Sequence, residues 1–64
     1  SHQYINGIHG LYVDEKDKEI RFDVIISLDA VDRLKVLEEL VSDVKNHFPN
    51  YNIEVFPNVD YTDR

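Results

Sequence analysis

The clearest pattern in the chain lies between residues 19 and 29, where apolar and polar side chains alternate at period two. Ile20, Phe22, Val24, Ile26 and Leu28 fall on one face, and Arg21, Asp23, Ser27 and Asp29 on the other. Alternation of this length predicts a half-buried strand over residues 19–28, because successive strand side chains point to opposite faces. Ile25 is the exception, an apolar side chain on the polar face. Upstream, residues 8–14 read as a first strand, with His9, Leu11 and Val13 on one parity and Tyr12 on the other. The tetrad Glu15-Lys16-Asp17-Lys18 between them suits a hairpin connection, although it lacks the Asn-Gly or Asp-Gly of the tightest turns.

After residue 29 the period changes. Leu34, Leu37, Val41, Val44 and Phe48 recur at spacings of three and four, which predicts an amphipathic helix, and Val36 and Leu40 widen its apolar stripe. Asp29 is placed to cap its N-terminus, and Asp32 adds negative charge at the positive end of the helix dipole. Lys45 and His47 stand in the last turn, where cations are favoured, and Pro49 forbids continuation. Residues 53–56 then read as a third strand. Pro57 removes a backbone donor, so this strand either stops there or lies on a sheet edge. The polar, acidic tail from Asn58 is expected to fray. The order strand, strand, helix, strand places the chain in the α+β class, as a β-β-α-β arrangement with a three-stranded mixed sheet packed on one helix. The helix-length connection permits a right-handed parallel crossover.

Sixty-four residues allow one domain with a thin core, since a chain of this size buries only about 60% of the surface it exposes when unfolded. That domain is expected over residues 6–60, with residues 1–5 as a flexible lead and 61–64 as a flexible tail. Ser1 and His2 are read as the remnant of a cleaved tag. There is no cysteine, so neither a disulfide nor a thiolate metal site can supplement the core, and a partner surface is the expected supplement. Thirteen acidic against seven basic residues give a formal charge of −6, the wrong sign for a nucleic-acid groove and repelled by anionic lipid. No apolar run approaches the roughly 20 residues that span a bilayer, and no signal peptide is visible.

One helix can cover one face of a three-stranded sheet and not both. Ile8, Tyr12, Ile25 and Phe56 fall on the parity opposite to the core positions. They are either scattered surface apolars, which are common on monomers, or a second surface that another subunit covers. On the second alternative the chain forms a homodimer with Tyr12, Ile25 and Phe56 in its interface. Chemistry is sparse. No Ser-His-Asp, Cys-His or phosphate-cradling glycine motif is present, so an enzyme is not expected. The acidic cluster Asp14, Glu15, Asp17 and Glu19 lacks the glycine and the ligand spacing of a calcium loop, and Lys16 and Lys18 interleave it. His47 is simplest as a cation at the helix C-terminus. His9, between two glycines, is either a hydrogen-bonding residue or a metal ligand.

Taken together, the run GIHGL (residues 7–11), the strand EIRFDVIISLD (19–29), the helix closing in HFPN (47–50) and the short strand NIEVF (52–56) resemble the cytoplasmic C-terminal domain of cation diffusion facilitator (CDF) transporters. The similarity spans about residues 6 to 58. It implies a ferredoxin-like, metallochaperone-like α-β-β-α-β fold, here without the helix expected ahead of GIHGL, as in a trimmed or naturally short version. It also implies a homodimer beneath the transmembrane domain of a proton-coupled exporter of Zn²⁺, Mn²⁺, Co²⁺ and related ions, with the domain on the cytoplasmic face of the membrane. Bound metal in such domains draws the two copies together. Of the family's ligand positions, the resemblance puts His9 on the histidine of the G-[IVA]-H motif. Ile26, Leu34, Phe56 and Asn58 stand where other ligands are usual, and Asp60 substitutes for the lost aspartate only if the register slips by two. Zinc wants four ligands with imidazole or thiolate among them, so His9 from two copies completed by carboxylates such as Asp60 is the expected site. A carboxylate-rich set would suit Mn²⁺ better than Zn²⁺. The alternatives are a dimerisation scaffold that holds no metal cofactor, and a small-molecule-binding or protein-docking module with the same fold and no metal role.

Overall fold

The computed structural model describes residues 3–62, and the reading of Ser1 and His2 as a tag remnant lies outside them. β1 (Ile5–Asp14), β2 (Glu19–Ser27), α1 (Arg33–His47) and β3 (Asn52–Asp60) succeed one another along the chain. They make an α+β unit whose three-stranded sheet has the order β1-β2-β3. β1 pairs with β2 antiparallel, and β2 pairs with β3 in parallel. Among the described residues no helix is long and apolar enough to cross a membrane.

β2 is the central strand, and its alternation is realised as predicted. Ile20, Phe22, Val24 and Ile26 are all buried beneath the helix together with Ala30 and Leu40. Burying a side chain of this size contributes roughly 1.5–3 kcal/mol. Tyr4, Ile5, Val36, Leu37, Val44, Tyr51, Ile53 and Val55 pack around this cluster at partial burial. The helix therefore meets the sheet through Val36, Leu40 and Val44, one residue per turn, with Leu37 beside them. Leu34, which sequence spacing put on the same stripe, is 66% exposed.

The helix begins later than Asp29. Ser27 Oγ accepts the Asp29 N–H at 3.1 Å, and Ala30 N–H donates to the Ser27 carbonyl at 3.2 Å. These bonds fold residues 27–30 into a turn, and Asp32 takes the capping role, its Oδ1 accepting the Lys35 N–H at 3.0 Å. At the other end His47 Nδ1 donates to the Asp43 carbonyl at 2.9 Å. Lys45 Nζ donates to the Tyr51 carbonyl at 2.6 Å, tying the helix terminus to the turn before β3.

Both outer strands run longer than expected. β1 starts at Ile5, with the Ser27 N–H donating to the Tyr4 carbonyl at 2.8 Å just before it. β3 passes through Pro57 and continues to Asp60, opposite Ser27. The segment from Asn58 is thus paired strand. Pro57 is tolerated because β3 is an edge, where half of the backbone N–H groups need no partner. The hairpin turn is held by Asp14, whose Oδ1 accepts the Lys16 and Asp17 N–H groups at 3.0 Å each. Lys18 completes it in the left-handed region at φ 57°.

The main correction to sequence reading concerns β1. Its register against β2 shifts twice, between Ile5 and Gly7 and between His9 and Tyr12. Gly10 sits inside the second shift at φ +61°, a conformation that favours glycine. Each extra residue reverses the parity of the positions beyond it. Ile8 therefore lies opposite Val24 and Val13 opposite Ile20, on the helix side, whereas His9 lies opposite Asp23 and Tyr12 opposite Arg21, on the helix-free side. His9 does not share a face with Leu11 and Val13, and Ile8 does not share one with Tyr12.

Two measurements test this packing. A domain of this size has only about 3–10 kcal/mol of total stability. Ile26→Ala, at a side chain 1% exposed, is expected to cost about 2–5 kcal/mol, read as a lower urea midpoint or outright unfolding. Asp14 is held below its ordinary value chiefly by the Asp17 backbone N–H, which desolvation opposes and to which the Lys16 N–H and the Tyr12 hydroxyl add. A depressed carboxyl stabilises the fold above its unfolded pKa of about 3.9, and that contribution disappears as pH falls through the lower folded value. Acid titration of wild type and Asp14→Ala should therefore show stability curves that differ at neutral pH and converge as pH falls through the lowered folded-state pKa of Asp14.

Candidate functional site

The helix-free face of the sheet is built in cross-strand rows. Tyr12, Arg21 and Glu54 form one, His9, Asp23 and Phe56 the next, and Gly7, Ile25 and Asn58 the third. In the first row the Arg21 guanidinium lies over the Tyr12 ring, 4.5 Å from its centroid. Arg21 Nε stands 4.0 Å from Glu54 Oε1 with both side chains about half exposed. That is too long for a hydrogen bond, and such a pair contributes at most about 1 kcal/mol. Arg21 is thus held flat against the sheet mainly by the aromatic ring. Sequence pattern pairs neither residue, since their meeting depends on the register shift.

Tyr12, Ile25 and Phe56, the candidate interface positions, do share this face, one in each row. Tyr12 is 45% and Phe56 50% exposed, and Ile25, one row beyond Phe56 on the central strand, is half-buried. A shallow depression lined by Gly10, Tyr12, Arg21, Asp23 and Phe56 separates the two rings. The face is amphipathic: two aromatics and an isoleucine among Arg21, Asp23, Glu54 and His9.

The candidate metal ligands are not brought together. His9 belongs to the Asp23 row and Asp60 to the Ser27 row. That puts them four residues apart along the sheet and two strands apart across it, about 13 Å by about 10 Å. The Asp60 carboxylate is already engaged: Asn6 Nδ2 donates to Oδ2 at 3.2 Å, and the Thr62 N–H and hydroxyl donate to Oδ1 at 3.0 and 2.6 Å. Asp60 therefore closes the end of the sheet, joining β1, β3 and the turn after β3. Of the other positions at which the resemblance places ligands, Ile26 is buried in the core and Leu34 lies on the helix. Among the described residues no group of three or more His, Asp or Glu side chains is gathered as a metal ion would need. The carboxylate that sequence reasoning missed is Asp23, the register partner of His9. Only the bulge glycine hinted at it.

Compared with protein-family models, with curated proteins and with solved structures, the chain has no match in any of the three.

The bulge that aims His9 outward can be tested directly. A Cβ at Gly10 would meet Asp23 Oδ2 at 3.0 Å on a backbone with φ +61°, whereas one at Gly7 would meet His9 Nε2 at an ordinary 3.6 Å. Gly10→Ala should cost about 1–2 kcal/mol more than Gly7→Ala in chemical denaturation. Equal losses would mean that Gly10 does not set the register.

Proposed function

We propose that this chain is the cytoplasmic regulatory and dimerisation domain of a cation diffusion facilitator transporter, with no catalytic activity of its own. The observation that carries the reading is the two-sided sheet. Its helix-free face holds Tyr12, Ile25 and Phe56 in adjacent rows with His9 among them, and a domain with so thin a core gains most from covering such a face with a second copy. The β-β-α-β order and the spacing of GIHGL, EIRFDVIISLD, HFPN and NIEVF support the same family.

In this reading the dimer is the working unit. Two copies meeting through their helix-free faces desolvate the aromatic rings and Ile25, while Arg21 and Asp23 confer orientation. Dimer geometry below the membrane then biases the transport domains toward one conformation, which requires that the contact be stronger in that arrangement than in the other. The described residues of one chain gather no group of three metal-ligating side chains, so in this reading a divalent ion is held between copies, by His9 and its row partner Asp23 from each. An imidazole and carboxylate set of this kind is within the range of both Zn²⁺ and Mn²⁺. Asp23 is the nearer carboxylate to His9 in the sheet, whereas Asp60 stands in the Ser27 row and already accepts bonds from Asn6 and Thr62.

Ile25→Asp should shift the dimer toward monomer in sedimentation velocity, and an unchanged sedimentation coefficient would remove this face from the interface. Titration calorimetry of chelator-stripped protein with Zn²⁺ and with Mn²⁺ addresses the ion. Saturable binding that disappears in His9→Ala is the expected outcome. Absence of binding by either ion would reduce the role to dimer scaffolding.

A further inference from the structure

Along the central strand, the helix-free face alternates in charge. Arg21 and Asp23 are successive outward positions of β2, opposite in sign and one row apart. Within its own chain the Arg21 guanidinium is under-bonded. Its Nε is closed off from solvent and has no hydrogen-bond partner, and Glu54 Oε1 at 4.0 Å lies out of bonding range. The side chain is nonetheless 44% exposed, which leaves the amino ends of the guanidinium to meet a carboxylate from another chain. The Tyr12 ring, its centroid 4.5 Å from the guanidinium carbon, holds the planar fork in place, so little side-chain freedom is lost when that carboxylate arrives. Asp23 Oδ2 rests against Gly10, close enough that a Cβ there would come within 3.0 Å of it. Both charged groups line the depression between the Tyr12 and Phe56 rings. We infer that Arg21 is a positioning residue of the dimer: it bonds Asp23 of the second copy, and so sets the two central strands antiparallel across the interface. The pairing presupposes the dimer of the proposed function and fixes its orientation and register.

Symmetry and row spacing select this arrangement. Two sheets stacked through the same face are related by a two-fold axis lying between them, so a contact from one residue to another is repeated in the opposite sense. If the axis runs along β2, every row lies over itself, and Arg21 meets Arg21 while Asp23 meets Asp23. An axis along the strands between β2 and β3 sets Arg21 over Glu54 but leaves Tyr12 and His9 of β1 outside the contact. An axis across the strands at the Asp23 row opposes the two aspartates, and one at the Arg21 row opposes the two arginines. Midway between those rows, an axis across the strands puts Arg21 over Asp23 twice. It also lays Tyr12 over His9, Phe56 over the stem of Glu54, and Ile25 over the stem of Glu19, by the row order of the sheet. Aligned sheets cross at only about 30°, which preserves these neighbours.

The same arrangement gives the aromatic rings a task. Tyr12 and Phe56 flank the two ion pairs and shield them from water, where a charge-assisted bond is stronger than at an open surface. A carboxylate has two oxygens, so the bond from Arg21 leaves one on each Asp23 for an ion, and an outer bond of this kind orients a ligand carboxylate.

Sedimentation velocity of chelator-stripped protein over a concentration series tests the pair without the ion. Arg21→Asp and Asp23→Arg each set two like-charge pairs in the interface and should each raise the dimer Kd at least roughly tenfold. The double exchange Arg21→Asp/Asp23→Arg should restore most of the association, which loss of the Tyr12 contact alone would not allow. Where circular dichroism shows that a reversal unfolds the chain, Arg21→Gln and Asp23→Asn take its place. Each should weaken the dimer, and the two combined should weaken it no further than either alone. Single variants equal to the parent, an exchange no tighter than the single reversals, or additive neutral variants would overturn the inference while leaving a dimer that Ile25→Asp still dissociates. A parent that is monomeric at every concentration would overturn it together with the dimer it presupposes.

Discussion

Everything in this fold is referred to β2. It is the one strand paired along both edges, and its four buried apolar side chains, Ile20, Phe22, Val24 and Ile26, form the seam where sheet and helix pack together. β1 reaches the rest of the molecule chiefly through β2. β3 and α1 are joined in sequence and press on β2 from the side and from above. The strand's strict alternation is therefore a requirement, since a one-residue slip would turn Arg21 and Asp23 into the core.

That requirement explains why so much of the fold was legible. Alternation in β2 and the three-four spacing in α1 are both imposed by burial, and burial leaves a periodic trace in the sequence. Where burial is partial the trace fades. β1 is exposed over most of its length, so nothing in its pattern announces the two register shifts. Gly10 was visible as a glycine, but not as a residue in the left-handed region. The face assigned to His9 and Ile8 was consequently inverted, while Tyr12, beyond the shift, kept its face. At Pro57 the sequence left two alternatives, an end or an edge strand, and the edge is realised: β3 continues to Asp60 because pairing to β2 on an edge does not need that N–H. The helix cap moved from Asp29 to Asp32 because the Ser27 hydroxyl, which period alone cannot weigh, organises the intervening turn.

The candidate site was legible in its hydrophobic part and not in its polar part. Tyr12, Ile25 and Phe56 could be grouped by parity, and they do share the helix-free face. His9 and Asp60 could be grouped only by chemical type, and the sheet separates them. Polar residues at a sheet surface take their neighbours from register. Both Asp23 beside His9 and Arg21 over Tyr12 are products of a register that the bulge determines. A bulge of this kind thus has more influence over surface chemistry than over stability.

The two margins of the sheet carry a further consequence. Along β3, Pro57 interrupts the row of backbone donors, and along β1 the two irregularities break the even spacing on which an added strand would dock. Neither edge offers the uninterrupted ladder from which β-rich chains grow into fibrils. A small acidic domain with exposed isoleucine, leucine and phenylalanine on both faces would otherwise be prone to such growth at high concentration. With its rims blunted, the sheet blocks growth by strand after strand at both margins and leaves its faces, not its edges, as the surfaces open to a second copy.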